Sequence, residues 1–283
     1  LREGQYDIID SIVLRLDVTN DTAATVSFPA IPQLINYVQF SANKGSDLIS
    51  SIDGDYLYCL TSTYTATEWA SKAIMMNTTA QWGNNATGLV AGASKSYYVL
   101  LKDTLLNQIK LNMKYLQGDL KISFNFRPWS TIGASGANAP SVSKIGLILN
   151  QINLDIGDQE AKRAVYRMTN GIIPDPIVVR YLDAVRFVPS SLAMTTNTSY
   201  TLSLENVRGM VSHVYFFVRP AGATGFGLSD FRTIASFDIV DNNNNSIIQY
   251  AQPSDFNLNM EYNQFFRDSP LSLYKNLYTY SFN

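Results

Sequence analysis

The sequence predicts an all-β protein made of two copies of one strand-rich unit, and three observations predict it. Residues 22–40, TAATVSFPAIPQLINYVQF, return 176 positions later as residues 198–216, TSYTLSLENVRGMVSHVYF. Thr22/Thr198, Thr25/Thr201, Ser27/Ser203, Val38/Val214 and Phe40/Phe216 are identical, where composition alone gives roughly one identity. Val26/Leu202, Phe28/Leu204, Ile31/Val207, Leu34/Met210 and Ile35/Val211 keep apolar character. A repeat this long exceeds the roughly 20–50 residues of solenoid units and propeller blades and matches a whole small domain. The second observation is a succession of short β-branched and aromatic runs between turn clusters, the pattern of a sandwich or barrel. The third is composition. Charged residues make up only 16%, against roughly 25% in an average soluble domain, while there are 17 Tyr and 14 Phe. Little charged surface is available, so the flanks of each unit are expected to be covered by neighbours.

Taken in order, residues 6–19 and 24–28 read as strands, with partial alternation and many β-branched positions. Pro29 and Pro32 break the ladder and place a short turn or helix before a strand around Tyr37–Phe40. Asn206-Val207-Arg208-Gly209 holds the same place before the strand His213–Arg219. Residues 55–65, DYLYCLTSTYT, read as a further strand, and 66–94 as a long insertion carrying Trp69, Met75, Met76 and Trp82. Loops of that length are commonly functional surfaces or packing arms. A strand near 97–101 precedes a helix over 103–118, which has Leu105, Ile109, Met113 and Leu116 on one face and Gly118 as its C-cap. LKISFNF (120–126) alternates cleanly as a strand, 127–143 is a Gly/Ala/Pro loop, and 144–156 is a strand again.

Residues 157–178 carry the linker, with Pro174 and Pro176 forcing an extended path. The boundary near 170–178 divides the chain into units 1–172 and 173–283. The second unit continues with strands near 181–188, 199–204, 213–219, 231–240 and 246–250, a mixed segment 253–267, and a last strand, LYTYSFN (277–283), which resembles LKISFNF. In the first unit one more strand comes after LKISFNF. Its absence from the second unit is expected to reflect shortening or disorder of that end.

Charge and cysteine use narrow the function classes. A net charge of −2 gives no overall attraction to a polyphosphate, so direct nucleic-acid binding is not expected. No apolar run approaches the roughly 20 residues of a membrane-spanning helix. Cys59 stands alone, so packing rather than disulfides must stabilise the fold. The sequons at Asn77, Asn85, Asn197 and Asn244 are what an Asn/Ser/Thr-rich chain produces by chance.

No catalytic, cofactor or metal site is assigned. His213 is the only histidine, and Tyr37 holds its place in the first copy, which suits an amphipathic packing ring better than a general base. One His and one Cys exclude the usual zinc ligand sets. Asp53/Asp55 in IDGDY and Asp155/Asp158/Glu160 in DIGDQE lack EF-hand spacing and read as turn formers. The cluster AGATGFG (221–227) lacks a Walker lysine and reads as a hairpin loop. Arg127-Pro128-Trp129 and Arg219-Pro220 each end a strand.

At FPAIPQLINYVQF and LENVRGMVSHVYFFVRP, and at Tyr278-Thr279-Tyr280-Ser281-Phe282, the sequence resembles the double jelly-roll major capsid proteins of tailless icosahedral DNA viruses, a lineage that runs from membrane-containing bacteriophages to adenovirus and the large DNA viruses. The resemblance implies two tandem eight-stranded jelly-roll β-barrels with short helices in connecting loops. It further implies a homotrimer forming a pseudo-hexagonal capsomer, contacts with neighbouring capsomers and with penton or minor proteins, and residence in the virion shell after synthesis in host cytoplasm. The short loops point to compact bacteriophage-type members. An underlying viral membrane and interfacial calcium are left open. Two alternatives remain: a double jelly-roll glycosidase or amidase acting through carboxylates, and a glycan-binding spike or lectin-like module using Trp69, Trp82 or Trp129 as stacking faces.

Overall fold

The structure is a computed structural model that describes residues 8–26, 29–42, 45, 47–72, 75–76, 89–101, 111–112, 119–128, 131, 141–152, 183–186, 199–202, 210–223, 228, 230–241, 243–250 and 276–282. Strand β1 (Ile8–Thr19) is the spine of the first sheet. Its Ile12, Leu14, Leu16 and Val18 are fully buried, while Ser11, Val13, Arg15, Asp17 and Thr19 alternate onto the other face, the period of two that a half-buried strand requires. Along one edge β1 pairs antiparallel with β4 (Ser94–Leu100) and then β5 (Leu111–Asn112); along the other it pairs with β7 (Ser141–Ile152).

A second sheet has the order β3 (Asp47–Asp53), β2 (Ile35–Ala42), β6 (Lys121–Phe126). Val38, Phe40 and Ile52 from this sheet meet Leu14, Leu16, Tyr97 and Val99 from the first in one apolar core. Two sheets facing across a shared core form a sandwich. The Pro29–Pro32 segment behaves as expected: Ile31–Leu34 is one buried 3-10 turn, with Pro in its first turn where no amide donor is needed.

In the second unit, β8 (His213–Phe216) pairs with β11 (Tyr278–Ser281), and β9 (Phe237–Val240) pairs with β10 (Ser246–Tyr250). The internal repeat is reproduced at the level of pairing. Val38 faces Phe124 and Phe40 faces Ile122 in the first unit; Val214 faces Tyr280 and Phe216 faces Tyr278 in the second. Superposing LKISFNF and LYTYSFN on their common Ser-Phe-Asn would set Phe124 against Phe282, but the ladders set it against Tyr280. A two-residue offset leaves every side chain on its face, so the alternating pattern alone could not detect it.

Several expectations are corrected. Residues 55–63 are helical rather than extended: α1 spans Gly54–Leu60 and a 3-10 turn succeeds it at Thr61–Thr63. The aromatic and β-branched content suggested a strand, but Asp53 caps the helix and the hydroxyls of Thr61, Ser62 and Thr63 bond back to carbonyls three residues earlier at 2.6–2.7 Å. Within the predicted helix 103–118, Leu111–Asn112 form β5, because the edge of β1 beyond the end of β4 is free to pair there; the rest lies outside the described residues. Ser141–Ser143 belong to β7 rather than to the preceding loop. Residues 183–186 and 199–202 carry no strand, and of 231–240 only Phe237–Val240 is one, with a single bridge at Arg232. Of the long insertion 66–94, Ala66–Lys72 forms helix α2, opened by Thr65 and Glu68 bonding each other's backbone amides. The predicted boundary near 170–178 lies outside the described residues. Between them the described strands close no barrel.

Candidate functional site

The side chains that draw the two units together converge on α1. Asp53 terminates β3 and accepts the Tyr56 amide at 2.8 Å, which starts the helix. Gly54 comes next because no other residue fits: a Cβ there would lie 2.1 Å from the Ile35 carbonyl oxygen and 2.3 Å from that of Pro32. From this start the seven-residue helix presents two apolar faces. Leu57 and Leu60, three apart, enter the core of the first sandwich. Tyr58 and Cys59 face the other way and join Ala30, Phe231 and Leu277, with Tyr215 and Phe217 against them. Tyr56 meets Tyr215 edge to face at 5.9 Å, and Phe217 stacks on Phe231 at 4.6 Å.

Asp55 lies on the same side of the helix as Tyr58 and Cys59, and is 2% exposed. Arg219 Nη2 and Nη1 donate to its two oxygens at 2.9 and 3.1 Å, a bidentate fork. Arg127 Nη2 donates at 2.9 Å, and Arg186 Nη1 stands 3.1 Å away while donating to Asp53 at 2.7 Å. Burial by itself would raise the Asp55 pKa. The hydrogen bond and charge of Arg219, then the charges of Arg127 and Arg186, outweigh it and hold the carboxyl below its ordinary value. The Arg219 guanidinium also lies over Phe217 and Phe231, at 5.3 and 5.8 Å from their ring centres. Two flanking hydrogen bonds extend the seam: Gln33 Nε2 to the Leu228 carbonyl at 3.1 Å, and Ser50 Oγ to Asp183 at 2.7 Å.

These contacts reassign several predicted features. Asp53 is a turn former as expected, in the specific role of helix cap, whereas Asp55 is an ion-pair centre that the local pattern did not reveal. Arg127 and Arg219, which the sequence marked only as strand ends before proline, supply two of the three cations on it. Their common target is hidden because they lie 72 and 164 residues from Asp55. His213 sits half-buried in β8 opposite Ser281, its Nδ1 2.9 Å from Ser212 Oγ, which fits the packing role. Cys59 is buried, and burial, followed by the charges of Asp55 and Asp53, pushes its thiol well above the ordinary range. On either side of the glycine-rich segment Val218 and Arg232 form an isolated antiparallel bridge, and Gly222 adopts φ +69° in a turn; residues 224–227 of the segment lie outside the described residues. Asp155, Asp158, Glu160, Trp82 and Trp129 lie outside the described residues. Among the described residues no group of three acidic, His or Cys side chains is placed to hold a metal, and no helix is long and apolar enough to cross a membrane.

No protein-family model and no curated protein matches the chain. Solved structures do. The chain is similar to PBCV-1 VP54, the crystal structure fitted into a cryo-EM reconstruction of the virophage Sputnik, with a TM-score of 0.68 and 15% identity over 99% of this chain and 71% of that one. It is similar to the quasi-atomic PBCV-1 virus capsid with a TM-score of 0.67 and 16% identity over 98% of this chain and 71% of that chain. It is also similar to the crystal structure of the STIV MCP, with a TM-score of 0.55 and 13% identity, covering 100% and 79%. The fold is therefore the all-β double jelly roll, the class to which these neighbours belong.

Proposed function

We propose that the chain is a major capsid protein, a structural subunit that trimerises into pseudo-hexagonal capsomers and builds an icosahedral viral shell. The observation that carries this reading is the likeness to PBCV-1 VP54 across 99% of the chain, both units included, at a TM-score of 0.68. Two physical features support it. The seam around Asp55 joins the two rolls into one block, which a two-roll tile requires. Large apolar side chains stand exposed on the chain, among them Ile145, Leu147 and Ile148 on β7, in a protein with few charged residues to keep separate copies apart.

In this role the partners are further copies of the chain, then penton or minor proteins and, where the virus has one, the membrane beneath the shell. The work is mechanical and needs no catalytic group. Nucleic acid is not a direct ligand, consistent with the net charge of −2. Light scattering on the purified protein, with and without chelator, tests the reading. A particle of three 31.5 kDa chains is expected, and dissociation on chelation would add bound cations to the interface. A strict monomer at micromolar concentration overturns it and brings forward the glycan-binding and carboxylate-enzyme alternatives.

A further inference from the structure

We propose that the Asp55 carboxylate is the joint that fixes the two rolls in one orientation, so that the chain meets any neighbour as a single rigid block. The inference rests on the seam itself and stands whether or not the chain forms a shell. Apolar contact across the seam, Tyr58 and Cys59 against Phe231 and Leu277, holds the rolls together but is non-directional and permits sliding. Orientation needs directional bonds, and among the described residues two of the three ion pairs that cross the seam end on one group, Asp55.

Arg127 reaches Asp55 from the end of β6 in the first roll, whereas Arg219 and Arg186 reach it from the second. The Arg219 fork fixes both distance and angle because a planar guanidinium meets a planar carboxylate at two points. The arrangement is also self-opposing without its centre. Without it, Arg127 of the first roll would face Arg219 of the second with no carboxylate between them, while Asp53 still holds Arg186 and Asp183 still bonds Ser50, so the seam would gain a cation–cation repulsion. One side chain thus replaces repulsion between Arg127 and Arg219 with attraction to both. Arg127 and Arg219 are mostly shielded, at 13% and 15% side-chain exposure, so solvent screens this effect only in part.

The experiment measures orientation directly. Cysteines are placed at two exposed positions on different rolls, Ala91→Cys and Asn243→Cys, and spin-labelled; buried Cys59 does not compete for label. Pulsed electron resonance on labelled chain diluted into unlabelled protein then reads the distance within one chain. The expected result is one narrow distance with Asp55 intact. With Asp55→Asn the distribution should broaden at least about twofold, while amides of β1 and β4 stay protected from hydrogen exchange. An unchanged width in Asp55→Asn overturns the proposal. Should that variant fail to fold, Arg219→Lys keeps the charge but loses the fork: broadening supports the joint, and the original width overturns it. Subunit mass is read separately, so failure of the capsid reading leaves this result intact.

Discussion

The same strand occurs twice in this chain, but its two copies lead into unequal connections. In the first roll the return from β2 is short, and Ala42 pairs with Asp47. In the second, β8 ends at Phe216 and an isolated bridge just beyond it joins Val218 to Arg232, with residues 219–231 between them. Val218 is the counterpart of Ala42 under the repeat, so the two connections leave from one structural position. The long one carries Arg219 at its start and Phe231 at its end, the two residues that bind Asp55 and cover Tyr58. Duplication supplied two equal frames, and an unequal hairpin made one frame grip the other.

The largest blow to this asymmetry is expected at its fulcrum. Gly54→Ala places a Cβ against two backbone oxygens that cannot retreat without moving β2, so a loss of more than about 4 kcal/mol should appear in urea unfolding. Phe231→Ala removes the apolar end of the long hairpin. A ring that is 4% exposed, stacked on Phe217 and packed by Tyr58, should cost about 3–5 kcal/mol by the same measurement.

Acid should separate the seam from the frames. Because the folded-state pKa of Asp55 is depressed, its contribution is complete above the ordinary aspartate range and is lost as pH falls through the lower folded value. The thermal midpoint is therefore expected to drop below about pH 4, and the acid limb should flatten in Asp55→Asn. An identical limb in that variant would assign the acid loss to other carboxylates. A smaller effect is expected for Arg219→Lys, which keeps the charge and gives up one of two bonds, about 1.5–3 kcal/mol by denaturant midpoint. The smallest is at Asp230. Its pair with Arg232 spans 3.6 Å between side chains 60% and 62% exposed, so Asp230→Ala should change stability by less than about 0.5 kcal/mol, although it lies in the same hairpin.

The strands that carry the fold were legible where one face is buried and the other wet. β1 and β2 show that alternation, β8 and β11 were read from the repeat and from their aromatic content, and the strands matched as LKISFNF and LYTYSFN prove to be the partners of β2 and β8. Legibility failed at α1, and the reason is physical. Leu57 and Leu60 point to one core and Tyr58 and Cys59 to another, so the helix is apolar nearly all round and shows no single stripe. Its aromatic composition then read as strand. The cap at Asp53 and the glycine after it were visible, but they describe a turn as readily as a helix start.

By itself the sequence determined the all-β class, the duplication, the proline-marked turn before β2, and the scarcity of charge that leaves so much surface apolar. These arise from local periodicity and from composition, which act between near neighbours in the chain or on the chain as a whole. The seam was decided only in three dimensions. Asp55, Arg127, Arg186 and Arg219 are ordinary residues at ordinary strand ends and turns until the two rolls are placed side by side. A carboxylate becomes a joint when folding removes it from water and surrounds it with cations from distant segments, and no pattern along the chain records that convergence.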